Sequence, residues 1–225
     1  MDYETRSGFF WRYSSGLLAI IVVYLVVTLV RSIRSDFAPE ILKGLGMDAK
    51  STTFASSEML VGLGVLAING GAVLIHDNRK AFFLSLATCA SGFLLLALTL
   101  AGHSLGVVDA FSFYVLIGLG MYLPYVAVHT TVFERLLGMT RERGNTGYLM
   151  YLADSFGYLG YVTIMLARNF LPANGNMLQF IIVVCWIAIG VSSACLLFSW
   201  RYFSKVVPGP EESRIQDSMS AKVTA

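Results

Sequence analysis

The sequence predicts an all-α integral membrane protein, a bundle of six transmembrane helices. Hydrophobic residues make up 56% of the 225 positions and charged residues 13%, against roughly 25% charged residues in a soluble domain. Mean hydropathy is +0.68. The apolar residues arrive in long, nearly uncharged blocks, and a helix needs about 20 such residues to cross the hydrocarbon of a bilayer. A barrel strand spans in about 9–11 residues of alternating pattern, which these blocks lack.

The first span, about 13–33, reads "YSSGLLAIIVVYLVVTLVRSI". It is too long for the core of a cleavable signal, and no small-x-small site precedes Arg31. Residues 1–12 form an N-terminal segment before it. The second span, about 54–75, follows the longest loop, "SDFAPEILKGLGMDAKSTT" (35–53), whose first part can prolong helix one or form a short surface helix. Only "HDNRK" (76–80) separates it from the third span, about 81–101. The fourth covers about 108–132, and the basic link "LLGMTRERGNT" (136–146) leads to the fifth, about 147–170. The sixth runs over about 177–200, and the polar, Pro/Gly-broken tail within 201–225 reads as disordered.

Lys and Arg set the orientation. Eleven of the 16 fall on the side of both termini and five on the other, so both termini are expected in the cytoplasm, with the bundle in a bacterial inner membrane. The net charge of +2 is thus an orientation signal, with no nucleic-acid partner implied. Cys89, Cys185 and Cys195 lie inside apolar blocks without metal-ligand spacing. No cofactor, metal site or enzyme signature is expected.

Polar groups inside a membrane are costly and are functional candidates by default. At 100° per residue, helix one aligns Tyr24, Thr28, Arg31 and Ser35, and helix two aligns Glu58, Gly62, Asn69 and His76. Helix four aligns Tyr114, Gly118, Tyr122, Tyr125 and His129; helix five aligns Tyr151, Asp154, Tyr158 and Tyr161. Helices three and six carry no such stripe and are expected at the periphery. Asp154 and His129 fall at similar depths on antiparallel spans, which places them as a proton relay or as a structural hydrogen-bond pair. The candidate substrate or proton path is therefore Asp154, His129, Tyr122, Tyr125, Tyr151, Tyr158, Arg31 and Asn69. Arg31 or Arg34 can meet an anion near the outer mouth. Packing alone also accounts for an aromatic stripe, and Asn69 also fits a hydrogen bond to a neighbouring helix. A second group, Asp77, Arg79, Lys80, Glu134 and Arg135 with Arg141 and Arg143, is expected at the cytoplasmic ends of the helices and suits a gate of charges.

One segment carries a resemblance. "GLGMYLPYVAVHTTVFERLLGMTRERGNTGYLMYLADSFGYLGYV" (118–162) and "VRSIRSDFAPEILKGLG" (30–46) resemble the C-terminal half of a bacterial family of facilitator-like membrane proteins, a domain of unknown function. "DNRK" (77–80) looks like a reduced form of the major facilitator loop motif, without its second glycine. The resemblance implies one six-helix half of a major facilitator superfamily fold, built as a three-plus-three inverted repeat. It also implies transport of a small-molecule solute, though no substrate carries over. Such proteins contain two halves and this chain one, so a second half, another chain or a second copy, is expected beside the lipid. The expected function is half of a secondary transporter for a small polar solute, with proton coupling at Asp154. The alternatives are a non-transporting sensor or assembly subunit, and a truncated fragment inactive alone.

Overall fold

A computed structural model of the chain describes residues 10–71, 75–140, 146–168 and 176–206. Arg141, Arg143 and the tail beyond Val206 lie outside the described residues, as does Arg6 in the N-terminal segment. In chain order the helices are α1 (Ser14–Asp36), α2 (Ala38–Gly44), α3 (Ser51–Gly70), α4 (Asn78–Ser104) and α5 (Ala110–Ala127). A π-helical segment (Val128–Val132) continues α5 into α6 (Phe133–Thr140), and α7 (Thr146–Arg168) and α8 (Met177–Val206) follow. No strand occurs among the described residues.

Among the described residues, five stretches are long and apolar enough to cross a membrane: α1, α3, α4, the continuous run Ala110–Thr140, and α8. Helix α7 spans 23 residues and carries Asp154 and the tyrosines at 148, 151, 158 and 161 along its length. The exposed surface is apolar along Met59, Leu60, Leu63 and Leu66 of α3 and Trp186 and Ile187 of α8, a face suited to lipid. Exposed helix hydroxyls are met locally: Thr88, Thr130, Ser155 and Thr163 each donate to the carbonyl four residues back in their own helix, as an apolar solvent favours.

Local chemistry sets the ends. Pro39 occupies the first turn of α2, where its missing N–H costs nothing. Gly46 and Gly106 adopt φ of 74° and 70°, left-handed turns that glycine enters without a Cβ clash. Asp109 caps α5 by accepting from the Ser112 backbone N–H at 3.1 Å. The Ser112 hydrogen bonds hold its carboxyl below the usual carboxylate range. Its capping contribution is therefore complete above the ordinary Asp pKa and disappears as pH falls through the lowered one.

The main packings between the long helices pair α4 with α5, α1 with α8, α3 with α5, α1 with α7, α4 with α8, and α1 with α5. Helices α4 and α5 meet backbone to backbone. A Cβ added at Gly120 would stand 3.0 Å from the Gly92 carbonyl oxygen, and one at Gly92 would stand 2.8 Å from that of Gly120.

Two expectations change here. The absence of a polar stripe does not make helix three peripheral, since α4 buries 44% of its most apolar window between α5 and α8 while the striped α3 buries 11%. Burial follows shape complementarity, and the glycine contact with α5 draws α4 inward. The second span also stops earlier than expected. Helix α3 ends at Gly70, and His76 lies outside the helices, so it shares no helical face with Glu58.

Candidate functional site

Two polar clusters are built on α1, which carries Tyr24 and Arg34 ten residues apart, about 15 Å at 1.5 Å per residue.

The first cluster gathers around Asp154. The hydroxyl of Tyr24, a residue only 2% exposed, donates to Asp154 Oδ1 at 2.5 Å. On the other side His129 Nε2 lies 3.9 Å from Asp154 Oδ2, within ion-pair reach but beyond a hydrogen bond. His129 belongs to the π segment. There the wider turn shifts the helix register by one residue, a local irregularity found often at functional sites. Pro124 precedes it inside α5 and removes one backbone donor from the same span. The Tyr125 ring stacks on Tyr24 at 5.4 Å and lies 6.0 Å from the His129 ring. Helix α7 approaches α1 closely because Gly157 offers no side chain against Thr28, 3.3 Å from where a Cβ would stand.

The second cluster gathers around Arg34, which is 1% exposed. Its Nη1 donates to Glu58 Oε1 at 2.7 Å and its Nη2 to the Tyr114 carbonyl at 3.3 Å. The guanidinium also lies over the Tyr114 ring at 4.2 Å. Gly118 makes the room: a Cβ there would sit 2.7 Å from Nη2. Burying a cation in apolar surroundings is tolerable only with such a partner and several acceptors. Glu58 is 45% exposed, so its carboxylate reaches the pair from the rim.

Arg31 is different. Its guanidinium stands over the Tyr125 ring at 4.6 Å and the Tyr122 ring at 5.7 Å. Among the described residues no carboxylate or carbonyl accepts from it, and its Nε, like that of Arg34, is buried without a partner. A cation in a membrane helix costs roughly 2.5–3.5 kcal/mol on insertion scales. Two ring faces offset about 1–2 kcal/mol of that.

A family model described as a family of unknown function (DUF5690) matches residues 1–206. The chain belongs to this family. No curated protein and no solved structure matches it. The DUF5690 match spans every residue of both clusters and ends where α8 ends.

Within this DUF5690 chain, Asp154, His129, Tyr125, Tyr122 and Arg31 form one continuous group. Tyr151 and Tyr158 share the helix of Asp154 but point outward, 76% and 64% exposed. Asn69 is buried, and its amide donates to the Val65 carbonyl at 3.3 Å. That bond lies within its own helix, and it replaces the expected bond to a neighbour. A groove of about 500 Å³ between α4 and α8, lined by Arg79, Lys80, Phe83, Leu84 and Trp200, holds none of the path residues.

Asp77, Arg79 and Arg135 of the expected gate have local partners. Asp77 caps α4, its Oδ1 accepting from the backbone of Arg79 at 2.9 Å and Lys80 at 3.1 Å. Arg135 donates to Asn78 Oδ1 at 2.9 Å, and Arg79 lies over the Phe83 ring. Glu134 is exposed and makes no ion pair with Arg79 among the described residues. Asp77→Ala is expected to destabilise the protein by about 1 kcal/mol while Asp77→Ser stays within a few tenths, as a helix cap requires. Denaturant unfolding in detergent checks this; a serine variant as damaged as the alanine one would point to the carboxylate charge instead.

Sequence reasoning placed Tyr24, Glu58 and Tyr114 on stripes without seeing their partners, and it left Arg34 off every stripe. The available signal was opposite charge near the same end of consecutive spans, Arg34 before the loop and Glu58 after it.

Proposed function

We propose that the chain is one six-span half of a facilitator-type secondary transporter, with α7 as the fifth span, and that it moves a small polar solute with proton coupling. One observation supports this above the others. Exchanging the first three spans for the last three, α1 for α5, α3 for α7 and α4 for α8, returns the same set of main helix packings. The polar clusters follow the same exchange. Arg34 on α1, Glu58 on α3 and Tyr114 on α5 correspond to His129 after α5, Asp154 on α7 and Tyr24 on α1. Each cluster is a basic side chain on one span, a carboxylate on the next and a tyrosine on the partner repeat. Inverted repeats of this kind underlie alternating access, with equivalent contacts forming and breaking at opposite faces.

In this reading Asp154 carries the proton, with His129 and the Tyr24 hydroxyl as its neighbours, because a carboxylate between a hydroxyl donor and an imidazole can exchange protons without crossing lipid. Both termini lie in the cytoplasm of a bacterial cell, and the bundle sits in the inner membrane. The side chains of Asp154 and His129 are 29% and 39% exposed, so a second half covers them in the working assembly. Glu134, Arg135, Arg79, Lys80 and Asp77 then stand at the cytoplasmic ends of the spans, as gate charges for the closing motion.

Native mass measurement in mild detergent is expected to give two copies, or one copy with a partner chain. Liposomes containing that assembly and a trapped pH dye are expected to show proton movement on addition of a transported solute. A lone monomer that gives no solute-dependent flux across a broad panel sinks the reading.

A further inference from the structure

We propose that Arg31 is the binding group for a small carboxylate anion, held against the ring faces of Tyr122 and Tyr125. The transporter reading says what such binding would be for, and the binding itself stands on the geometry.

The argument begins with the contrast between the two arginines of α1. Arg34 has a carboxylate at 2.7 Å and a carbonyl at 3.3 Å, so its charge is already met within the chain. Arg31, one turn earlier, has neither, and among the described residues no anion faces it. Tyr125 and Tyr122 cover ring-facing sides of its guanidinium at 4.6 and 5.7 Å. What remains is the in-plane edge of N–H donors, including the buried Nε. That edge is a planar fork, and a carboxylate is the small anion whose two oxygens match it in one plane. A single uncompensated guanidinium carries one positive charge. A monocarboxylate neutralises it, a phosphate dianion overshoots, and a neutral solute leaves the cation unmet.

Two further observations point the same way. Thr28, three residues before Arg31 on the same helical face, is 5% exposed, and its Oγ1 is buried without a hydrogen-bond partner. A second donor on that face therefore lacks an acceptor. The Tyr125 ring under Arg31 also stacks on Tyr24, whose hydroxyl holds Asp154. An anion at Arg31 would thus stand one aromatic ring from a carboxylate with an imidazole beside it. Binding of the anion would favour uptake of a proton on that group, through the electrostatics of adjacent charges.

The test uses the full-length purified assembly and isothermal titration with acetate, butyrate and benzoate, their amides, inorganic phosphate, and sodium chloride at matched ionic strength. At least one carboxylate is expected to bind saturably while its amide does not. Arg31→Gln is expected to weaken that binding about 10–100-fold, the range for charge-assisted hydrogen bonds, and Arg31→Lys by less. Should Arg31→Gln not yield a monodisperse protein, Arg31→Lys and Tyr125→Leu decide, each expected to weaken binding. Failure of every carboxylate to bind, binding indifferent to Arg31, or preference for phosphate overturns the inference. A carboxylate that binds at Arg31 but drives no flux in liposomes removes the transporter reading and leaves this one. A transported solute whose binding and flux ignore Arg31→Gln does the reverse.

Discussion

Gly118→Val is expected to leave little folded protein. A Cβ at Gly118 would lie 2.7 Å from Arg34 Nη2, 2.8 Å from its Cζ and 2.9 Å from Val61 Cγ2. The arginine cannot simply step aside, because the Tyr114 ring at 4.2 Å covers its other face and Glu58 fixes its tip. Valine therefore separates a buried cation from its partner, a class of change that costs about 3–5 kcal/mol. Gly118→Ala carries less bulk and is expected to cost about 1–3 kcal/mol by overpacking. Thermal or denaturant unfolding in detergent measures both. The cause is checked by combining Gly118→Val with Arg34→Met, which removes the charge that valine strands. The double variant is expected to be more stable than Gly118→Val alone. Simple addition of the two single effects would show that Gly118 acts through something other than Arg34.

The second large effect is on activity. Asp154→Asn keeps the size of the side chain and an oxygen able to accept from Tyr24, so stability is expected to change by only about 1 kcal/mol. The carboxylate on which the proposed proton coupling depends is lost. Solute-driven proton flux in liposomes is expected to fall by at least ~100-fold, the lower bound for removing a positioned acid–base group. Tyr24→Phe separates the two roles: it removes a hydrogen bond to Asp154 and is expected to shift the pH dependence of flux while keeping the flux itself. Proton-coupled flux in Asp154→Asn with the wild-type pH profile would remove Asp154 from the coupling.

The sequence was most legible where chemistry is one-dimensional. Blocks of apolar residues located the helices, and spacing along one helix put Tyr125 with His129 and Tyr24 with Thr28 and Arg31. Depth arithmetic brought Asp154 toward His129, and the two carry side-chain atoms 3.9 Å apart. What stayed hidden needed a second helix. No count along α1 reveals that Tyr24 reaches α7, because the hydrogen bond to Asp154 spans 130 positions. Asn69 could be read as a bridge between helices, whereas the carbonyl of Val65 on its own helix was nearer to hand. The π segment was equally invisible, since VHTTV at 128–132 has no residue that forbids an ordinary α turn. Its wider turn follows Pro124, whose backbone nitrogen has no hydrogen to donate.

The burial of Arg34 also fixes an order of assembly. During synthesis α1 is the first of these spans to enter the bilayer, with a cation near its end. Glu58 arrives 24 residues later. The Tyr114 carbonyl follows 80 residues after Arg34. Until α5 is in place, the end of α1 that bears Arg34 cannot settle in its final position, and the bare charge favours staying at the water interface. Of these spans, the first to be made is thus among the last to be finished.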